Sequence, residues 1–475
     1  MTTTTNLFEV DAYPGGPKIL FIGLGVSSHT HSWVNLLSDS KLNIRMFSVP
    51  GGGTPPHHWS IRTYLCDHSS QLPRGLDVNT RQSFYSFPED VELAEKEMEK
   101  RKKELEKRVA KLRKNIIYWF FVFAKKVING AGNYLGMPAL NFDYSDFFDL
   151  KASDPILKVS DPISESYDKW LALIIQNWRP DIIHTLGLFD WQGGLFYSQV
   201  REKYGLEGIG KWVLQLRGGS DIALRRYNPQ TASQILKVFS DCDEIITDNY
   251  ANIEYIREMG FGHKVSSISP VPGTGGLDMN SADLTPPSKR DRVILWPKAY
   301  ESQWSKALPV LEALKLAWDF IKPCKIIMTA TMLEVQEWLY TLPEEILNSC
   351  DIRERISRDE MLSLMQTARV LLSPSLVDGV PNVLYEAMAN GAFPILSPLD
   401  TIKLIVQNET NVLFARNLYP LEIKDALVMS MTNDILVDTA YVNNLDLVGR
   451  VASRKMIAEN VIAYYQKISA NTSIA

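Results

Sequence analysis

Residues 370–397 read Val370-Leu-Leu-Ser373, then Pro374-Ser-Leu-Val-Asp378-Gly-Val-Pro-Asn-Val-Leu-Tyr-Glu386-Ala-Met-Ala-Asn-Gly391, and, after Ala392, Phe393-Pro-Ile-Leu-Ser397. The short apolar run predicts a buried strand. Pro374 to Val380 reads as a loop, Pro381 as the first position of a helix, and Asn390-Gly391 as its stop. A second buried strand follows. One acid lies in the loop and another inside the helix. Between them the helix N-terminus offers free backbone N–H groups and the positive end of a dipole, an anion site suited to phosphate. Gly379 lets a ligand approach the backbone closely. Two carboxylates beside a phosphate site do not bind the phosphate; they are placed to accept hydrogen bonds from sugar hydroxyls on either side of it. Plainer readings are a helix-capping or loop acid for Asp378 and a solvent-facing residue for Glu386. Against the second, the neighbours three positions either way are Val383 and Ala389, and a carboxylate on an apolar side needs a partner.

The same strand–loop–helix grammar extends outward in both directions. Lys18-Ile-Leu-Phe-Ile22 predicts a strand that ends in Gly23-Leu-Gly25, a helix runs through Trp33 and Leu37, and Ile44 to Val49 is a second strand. That order predicts a parallel sheet. Further strands are expected at Asp181–Thr185, Trp212–Leu216 and Glu244–Asp248. A Pro/Gly-rich stretch, Pro270 to Gly276, then leads into the linker Ser281–Ser288. A second cycle follows, with strands at Arg292–Trp296 and Lys325–Thr329 and a capping box, Ser357-x-x-Glu360, opening a helix to Thr367. The expected organisation is an N-terminal domain over 15–282, a C-terminal domain over 283–455, and a helix over 456–475 packing back toward the N-terminal domain. Ligands of doubly wound folds sit at the carboxyl ends of the strands, and a cleft between two such domains is a natural place for chemistry.

One segment breaks the pattern. Residues about 85–160 read as a helical insert in the N-terminal domain. From Val91 to Lys126 there are twelve Lys/Arg against six Glu, with pairs such as Glu92–Lys96 and Glu99–Lys103 at helical spacing, and the stretch ends in IIYWFFVFAKK. It is either a solvated helix running into a core helix or a basic, aromatic-tipped surface that lies on anionic lipid.

The 475 residues carry 50 Lys+Arg against 55 Asp+Glu, so no global basic field argues for nucleic acid. Cys66, Cys242, Cys324 and Cys350 are scattered without metal-ligand spacing and read as free thiols of a reducing compartment. The start, MTTTTNLFEVDAYPGG, lacks the pattern of a signal peptide. The longest apolar stretch, Ile116 to Ala124, is far short of the ~20 residues that span a bilayer. The expectation is a cytoplasmic protein, peripheral on the membrane if the insert binds lipid.

Taken together, Ser373 to Asn411 resembles the donor-binding signature of retaining glycosyltransferases of family 4: an acid, seven residues, a glutamate, Ala-Met-Ala, and a glycine before the next strand. Other segments are similar to that family in the same order: Ser28-His-Thr-His-Ser-Trp33, Pro180-Asp-Ile-Ile-His184, Arg217-Gly-Gly-Ser-Asp221-Ile, Cys242-Asp-Glu-Ile-Ile-Thr247 and Gly276-Leu-Asp278. The resemblance covers nearly the whole chain outside about 55–160. It implies the α/β GT-B fold, two Rossmann-like doubly wound domains facing a central cleft.

The resemblance also implies roles. A nucleotide sugar, most simply a UDP- or GDP-sugar, would be held by the C-terminal domain and passed to a glycan or lipid-linked acceptor, as in polysaccharide biosynthesis, with no cofactor and no metal. Glu386 would bind the ribose and Asp378 the donor sugar, with backbone amides of Gly379, Val380, Pro381 and Asn382 and the loop around Gly25 near the sugar and diphosphate. Lys298 and Lys306 would meet the leaving diphosphate, and His184 would sit near the reacting centre. His29, His31, Arg217 and Asp221 are acceptor-side candidates. The chain departs from the family at Asp378, where Glu is commoner, and at Lys298 and Lys306, eight apart where an Arg and a Lys about five apart are usual. It departs again at Leu186, where a second His is frequent, and at Arg217, where His is frequent. These departures keep two other readings open, a non-catalytic glycan-binding pseudoenzyme and a sugar-nucleotide epimerase of the same fold. The bland readings are two surface lysines, loop histidines at a helix start for His29 and His31, and a strand-end histidine with a satisfied hydrogen bond for His184.

Overall fold

The computed structural model describes residues 11–53, 55, 59, 61–66, 73–76, 83–84, 162–218, 222–278 and 284–472. The insert at 85–160, including the basic run 91–126, lies outside the described residues.

The N-terminal sheet contains β1 (Lys18–Gly23), β2 (Asn43–Ser48), β3 (Thr63–Cys66), β4 (Pro73–Leu76), β5 (Ser83–Phe84), β6 (Ile182–Thr185), β7 (Lys211–Gln215) and β8 (Glu244–Ile246). Their spatial order is β5-β4-β3-β2-β1-β6-β7-β8. All pairings from β3 to β8 are parallel, whereas β4 and β5 add antiparallel strands at one edge. The C-terminal sheet is wholly parallel and contains β9 (Val293–Trp296), β10 (Lys325–Met328), β11 (Cys350–Ile352), β12 (Val370–Ser373), β13 (Phe393–Leu396) and β14 (Leu413–Phe414), in the order β11-β10-β9-β12-β13-β14. The central strands are apolar runs buried on both faces, as a sheet covered by helices on each side requires. This is the two-domain GT-B architecture.

Strand order reverses beside the first strand of each sheet: β1 lies between β2 and β6, and β9 lies between β10 and β12. Loops diverge at such switch points and leave a crevice at the carboxyl edge, so both crevices can open onto one cleft.

One core fills the face of the N-terminal sheet under Pro162–Trp178, Gly194–Tyr204 and Pro229–Asp241. The opposite face is covered by the last helix of the chain, Arg454–Thr472, whose Ile457, Val461, Tyr465 and Ile468 pack against Ile19, Phe21, Ile182 and Val213. Tyr464 donates to Glu244 Oε2 at 2.7 Å. The crossing from one domain to the other is doubled, since Leu277 pairs with Ser453 in parallel, and Arg454 donates to the carbonyl of Ser32 at 2.8 Å.

Cys242, Cys324 and Cys350 are free thiols. No helix among the described residues is long and apolar enough to cross a membrane.

Candidate active site

The loops at the two switch points carry most of the singled-out residues. Ser27 caps the helix Ser28–Val34, which follows β1 and carries His29 and His31. Lys298 lies two residues past β9, Asp378 lies five past β12, and Arg217 lies two past β7.

In the C-terminal domain, Lys298 Nζ donates to Asp378 Oδ2 at 2.7 Å. Burial is the largest single influence and works against the ammonium, but the charge and hydrogen bond of Asp378, together with Tyr300 and Glu386, outweigh it and hold Lys298 above the ordinary lysine range. Lys306 is fixed by its own backbone: its N–H donates to Asn417 Oδ1 at 2.8 Å, and Asn417 Nδ2 donates back to its carbonyl at 3.1 Å and to that of Pro374 at 3.2 Å. Its Nζ reaches Glu301 Oε1 at 2.5 Å, and the other Glu301 oxygen accepts from the Ala307 N–H at 3.0 Å. The backbone of Asp378 and Gly379 is held by Thr401, whose hydroxyl bridges both carbonyls at 3.0 and 3.1 Å.

The following helix spans Asn382–Ala389, so Pro381, expected as its first position, is its cap and the helix starts one residue later. Proline has no side chain able to cap, so no side-chain hydrogen bond caps this N-terminus, and the Leu384 N–H turns back to the Pro381 carbonyl at 2.8 Å. Four residues in, Glu386 is buried among Val383, Leu384 and Ala387 and finds its partner in Arg358, whose Nε donates to Oε1 at 3.0 Å.

The two domains meet at Asn382. Its amide oxygen accepts from Thr274 Oγ1 at 3.2 Å and its nitrogen lies 3.3 Å from His29 Nδ1. The His29 ring keeps a solvent edge, yet it stands in the concavity between the domains. That enclosure, together with Arg217, Arg358 and Lys298 and opposed only by Asp378, lowers it to about 4. Cations of both domains, Arg217 on one side and Arg358 and Lys298 on the other, thus act on one ring that touches the first residue of the Asn382–Ala389 helix.

Other sequence-selected residues fall elsewhere. Gly25 packs against the glycine turn after β2: a Cβ there would lie 2.4 Å from the Gly53 carbonyl. His31 stacks on Trp59 with centroids 4.4 Å apart. Arg217 reaches Gln215 Oε1 at 3.0 Å and Thr30 Oγ1 at 3.5 Å, beside the His29 helix. Asp221 lies outside the described residues.

His184 needs correction as a group near a reacting centre, because it is a core residue with no solvent exposure. Every position of β6 is buried, and His184 points to the face covered by the last helix, where its Nδ1 lies 2.5 Å from the Tyr465 hydroxyl. The indole of Trp33 donates to that same hydroxyl at 3.1 Å. The Tyr465 hydroxyl thus ties the His184 ring to Trp33, while His184 Nε2 is buried with no hydrogen-bond partner among the described residues. Burial, then Arg217, holds it well below the usual histidine range.

Three groups at the site escaped the sequence reading. Arg358 lies inside the Ser357–Glu360 segment read only as a cap, and Ser357 Oγ does accept from the Glu360 N–H at 3.2 Å. Glu301 sits in a loop with no local pattern. Asp248, just beyond β8, is buried and accepts from the Gly218 N–H at 2.8 Å and from Asn249 and Asn252 at 2.7 and 3.2 Å. Burial, with a contribution from Asp378, lifts it to about 6. A buried carboxylate whose neighbours are found only on folding leaves no periodic signal.

Residues 311–433 match the family model of glycosyl transferases group 1, a stretch that contains both Asp378 and Glu386. Solved structures share the whole fold. Sucrose-phosphate synthase from Thermosynechococcus elongatus aligns with TM-score 0.59 and 11% identity over 96% of this chain and 100% of its own. The lipopolysaccharide outer core galactosyltransferase WaaB in its apo form aligns with TM-score 0.57 and 12% identity over 96% and 99%. Anabaena Alr3699/HepE in complex with UDP and glucose aligns with TM-score 0.55 and 10% identity over 95% and 100%. At such identities the likeness is one of fold. No curated protein matches the chain in sequence. The group 1 domain inside this two-domain fold defines the class: a glycosyltransferase of GT-B architecture.

Proposed function

We propose that the protein moves a sugar from a nucleotide-diphosphate sugar to a glycan or lipid-linked acceptor, with retention and without a metal ion. The observation that carries this is His29, held neutral at about 4 while Arg217, Lys298 and Arg358 converge on it beside the uncapped Asn382–Ala389 N-terminus. Such a site stabilises negative charge where it develops as the diphosphate leaves. The fixed cations supply what a metal supplies in other transferases. Asp378 and Glu386 flank the site and accept hydrogen bonds from the donor sugar and the ribose. The neighbour solved with UDP and glucose favours a uridine nucleotide among the candidates. The sugar leaves as an oxocarbenium-like species and is attacked on the face the diphosphate vacates, which makes the departing phosphate oxygen the natural acceptor of the incoming hydroxyl's proton.

The test is a calorimetric panel of UDP, GDP, ADP and TDP and their sugars, run with and without chelator. One nucleotide diphosphate binds, the chelator leaves its affinity unchanged, and Glu386→Ala weakens it at least about tenfold, the loss of a charge-assisted hydrogen bond. If no nucleotide binds, the transferase reading fails and the pseudoenzyme reading replaces it.

A further inference from the structure

Two rigid turns at the carboxyl edge of the N-terminal sheet carry exposed rings and one unspent guanidinium group. The first follows β6. Gln192 is buried and its Oε1 accepts from the N–H groups of Leu188 and Phe189, both at 3.2 Å, so the turn that presents Trp191 is clamped. Trp191 is nevertheless 51% exposed. The second turn, Arg225–Tyr227, follows β7 and is locked by Thr231, whose hydroxyl donates to the Arg225 carbonyl at 2.6 Å. Tyr227 is 72% exposed.

The two turns are joined by Arg225, whose guanidinium lies 4.4 Å over the Phe189 ring, two residues from Trp191. Among the described residues no carboxylate or carbonyl accepts from the Arg225 side chain. Stacking fixes its plane and leaves its donor edge unspent, the preorganised fork that takes a phosphate. Arg226 beside it is wedged between the rings of Tyr227 and Tyr255, 4.3 and 3.7 Å from their centroids, and is spent within the turn, donating to the Ala223 carbonyl and, at 2.7 Å, to the Tyr227 hydroxyl. Tyr255 belongs to the helix Tyr250–Glu258, which packs against Asp400–Lys403 of the other domain, so the surface looks into the cleft. Fixed exposed aromatics are costly to leave in water and mark a binding surface. A flat ring matches the apolar face of a sugar, and the neighbouring Arg225 guanidinium matches an anion attached to it.

We infer that this surface receives the acceptor, and that the acceptor carries a phosphate next to the sugar that stacks on Trp191. The inference rests on the transferase reading and adds the acceptor's chemistry to it. Arg225 is then a specificity-determining residue that meets the phosphate.

The experiment titrates the full chain, saturated with UDP so that the diphosphate site is filled, with three probes: methyl glucoside, glucose 1-phosphate, and the octyl diester of glucose 1-phosphate. Both phosphate probes are expected to bind about tenfold or more tightly than methyl glucoside, and Arg225→Gln to remove the difference. Trp191→Ala is expected to weaken all three probes alike while UDP affinity stays as in the wild type. Tighter binding of the octyl diester assigns a lipid-linked acceptor, and tighter binding of the monoester a free sugar phosphate. Equal affinities for neutral and charged probes, no binding of either phosphate probe, or a preference that survives Arg225→Gln overturns the inference. Normal UDP binding in that case leaves the transferase reading standing, whereas failure of the wild type to bind any of the four nucleotide diphosphates removes both.

Discussion

If a diphosphate enters the His29 site, it must change the protonation of that ring. Free His29 titrates at about 4 because it is enclosed and because Arg217, Arg358 and Lys298 repel its charged form. A bound donor does not relieve the enclosure, but its negative charge cancels part of the cationic field. One unit charge about 6 Å away at an effective dielectric of about 40 contributes about 1.4 kcal/mol, or about one pK unit. The ring then titrates near about 5 in the complex. Binding takes up about 0.5 proton at pH 4.5, about 0.2 at pH 5.5, and essentially none at pH 7, so affinity rises as pH falls through this window.

Calorimetry at pH 5.5 in buffers of different ionisation enthalpy reads the uptake directly. The ligand is UDP-glucose or GDP-mannose, whichever binds, because the diphosphate diester of a nucleotide sugar has no titration of its own there. His29→Asn keeps the contact to Asn382 and has no proton to take. Zero uptake in the wild type with binding intact, or the same uptake in His29→Asn, refutes the argument that the cations around His29 face the diphosphate. Stability has its own sign: a histidine lowered on folding leaves stability intact above its unfolded value near 6.5, and stability falls as pH drops from there toward 4.

Tyr465→Phe removes the acceptor of the Trp33 indole and the partner of His184 Nδ1 at once, both in the core. A loss of about 1–3 kcal/mol is expected, read as a lower urea midpoint with unchanged nucleotide affinity; a loss of affinity at equal stability would return His184 to the site. Gly25→Ala places a methyl 2.4 Å from the Gly53 carbonyl and 2.7 Å from Ser48 Oγ. It is expected to cost about 1–3 kcal/mol by overpacking, and a melting temperature within 1 °C of wild type would show that the glycine turn yields freely.

The strand–loop–helix unit at 370–396 was legible because a fully apolar strand, a proline, an Asn-Gly stop and a second apolar strand are all local signals. The outer strands were not: β4 (Pro73-Arg-Gly-Leu76) and β11 (Cys350-Asp-Ile352) are no apolar runs, β5 and β14 are two residues each, and β3 is a short run that opens on Thr63. His184 shows a different limit. In a strand buried on both faces, alternation cannot say which face a residue takes, and the covering element, Arg454–Thr472, comes nearly three hundred residues later. Arg358 shows a third: one arginine in a helix's first turn reads as surface until β9 and β12 are neighbours and bring its helix against the one that carries Glu386.

The charge pattern of the site makes sense only when both of its states are considered. Lys298 holds Asp378 and Arg358 holds Glu386, each cation matched to a carboxylate at hydrogen-bond distance. Leaving either carboxylate enclosed without a partner is costly, so an open site of fixed charges has to be internally paired. On the transferase reading the donor exchanges those partners: the diphosphate takes the cations, and the hydroxyls of ribose and sugar donate to the carboxylates they leave. A bare nucleotide diphosphate completes only part of that exchange, because Asp378 still lacks its sugar. The Lys298–Asp378 contact therefore opposes a diphosphate alone and yields to a whole nucleotide sugar. Pairing of this kind turns the site from a general anion trap into one that recognises phosphate and sugar together.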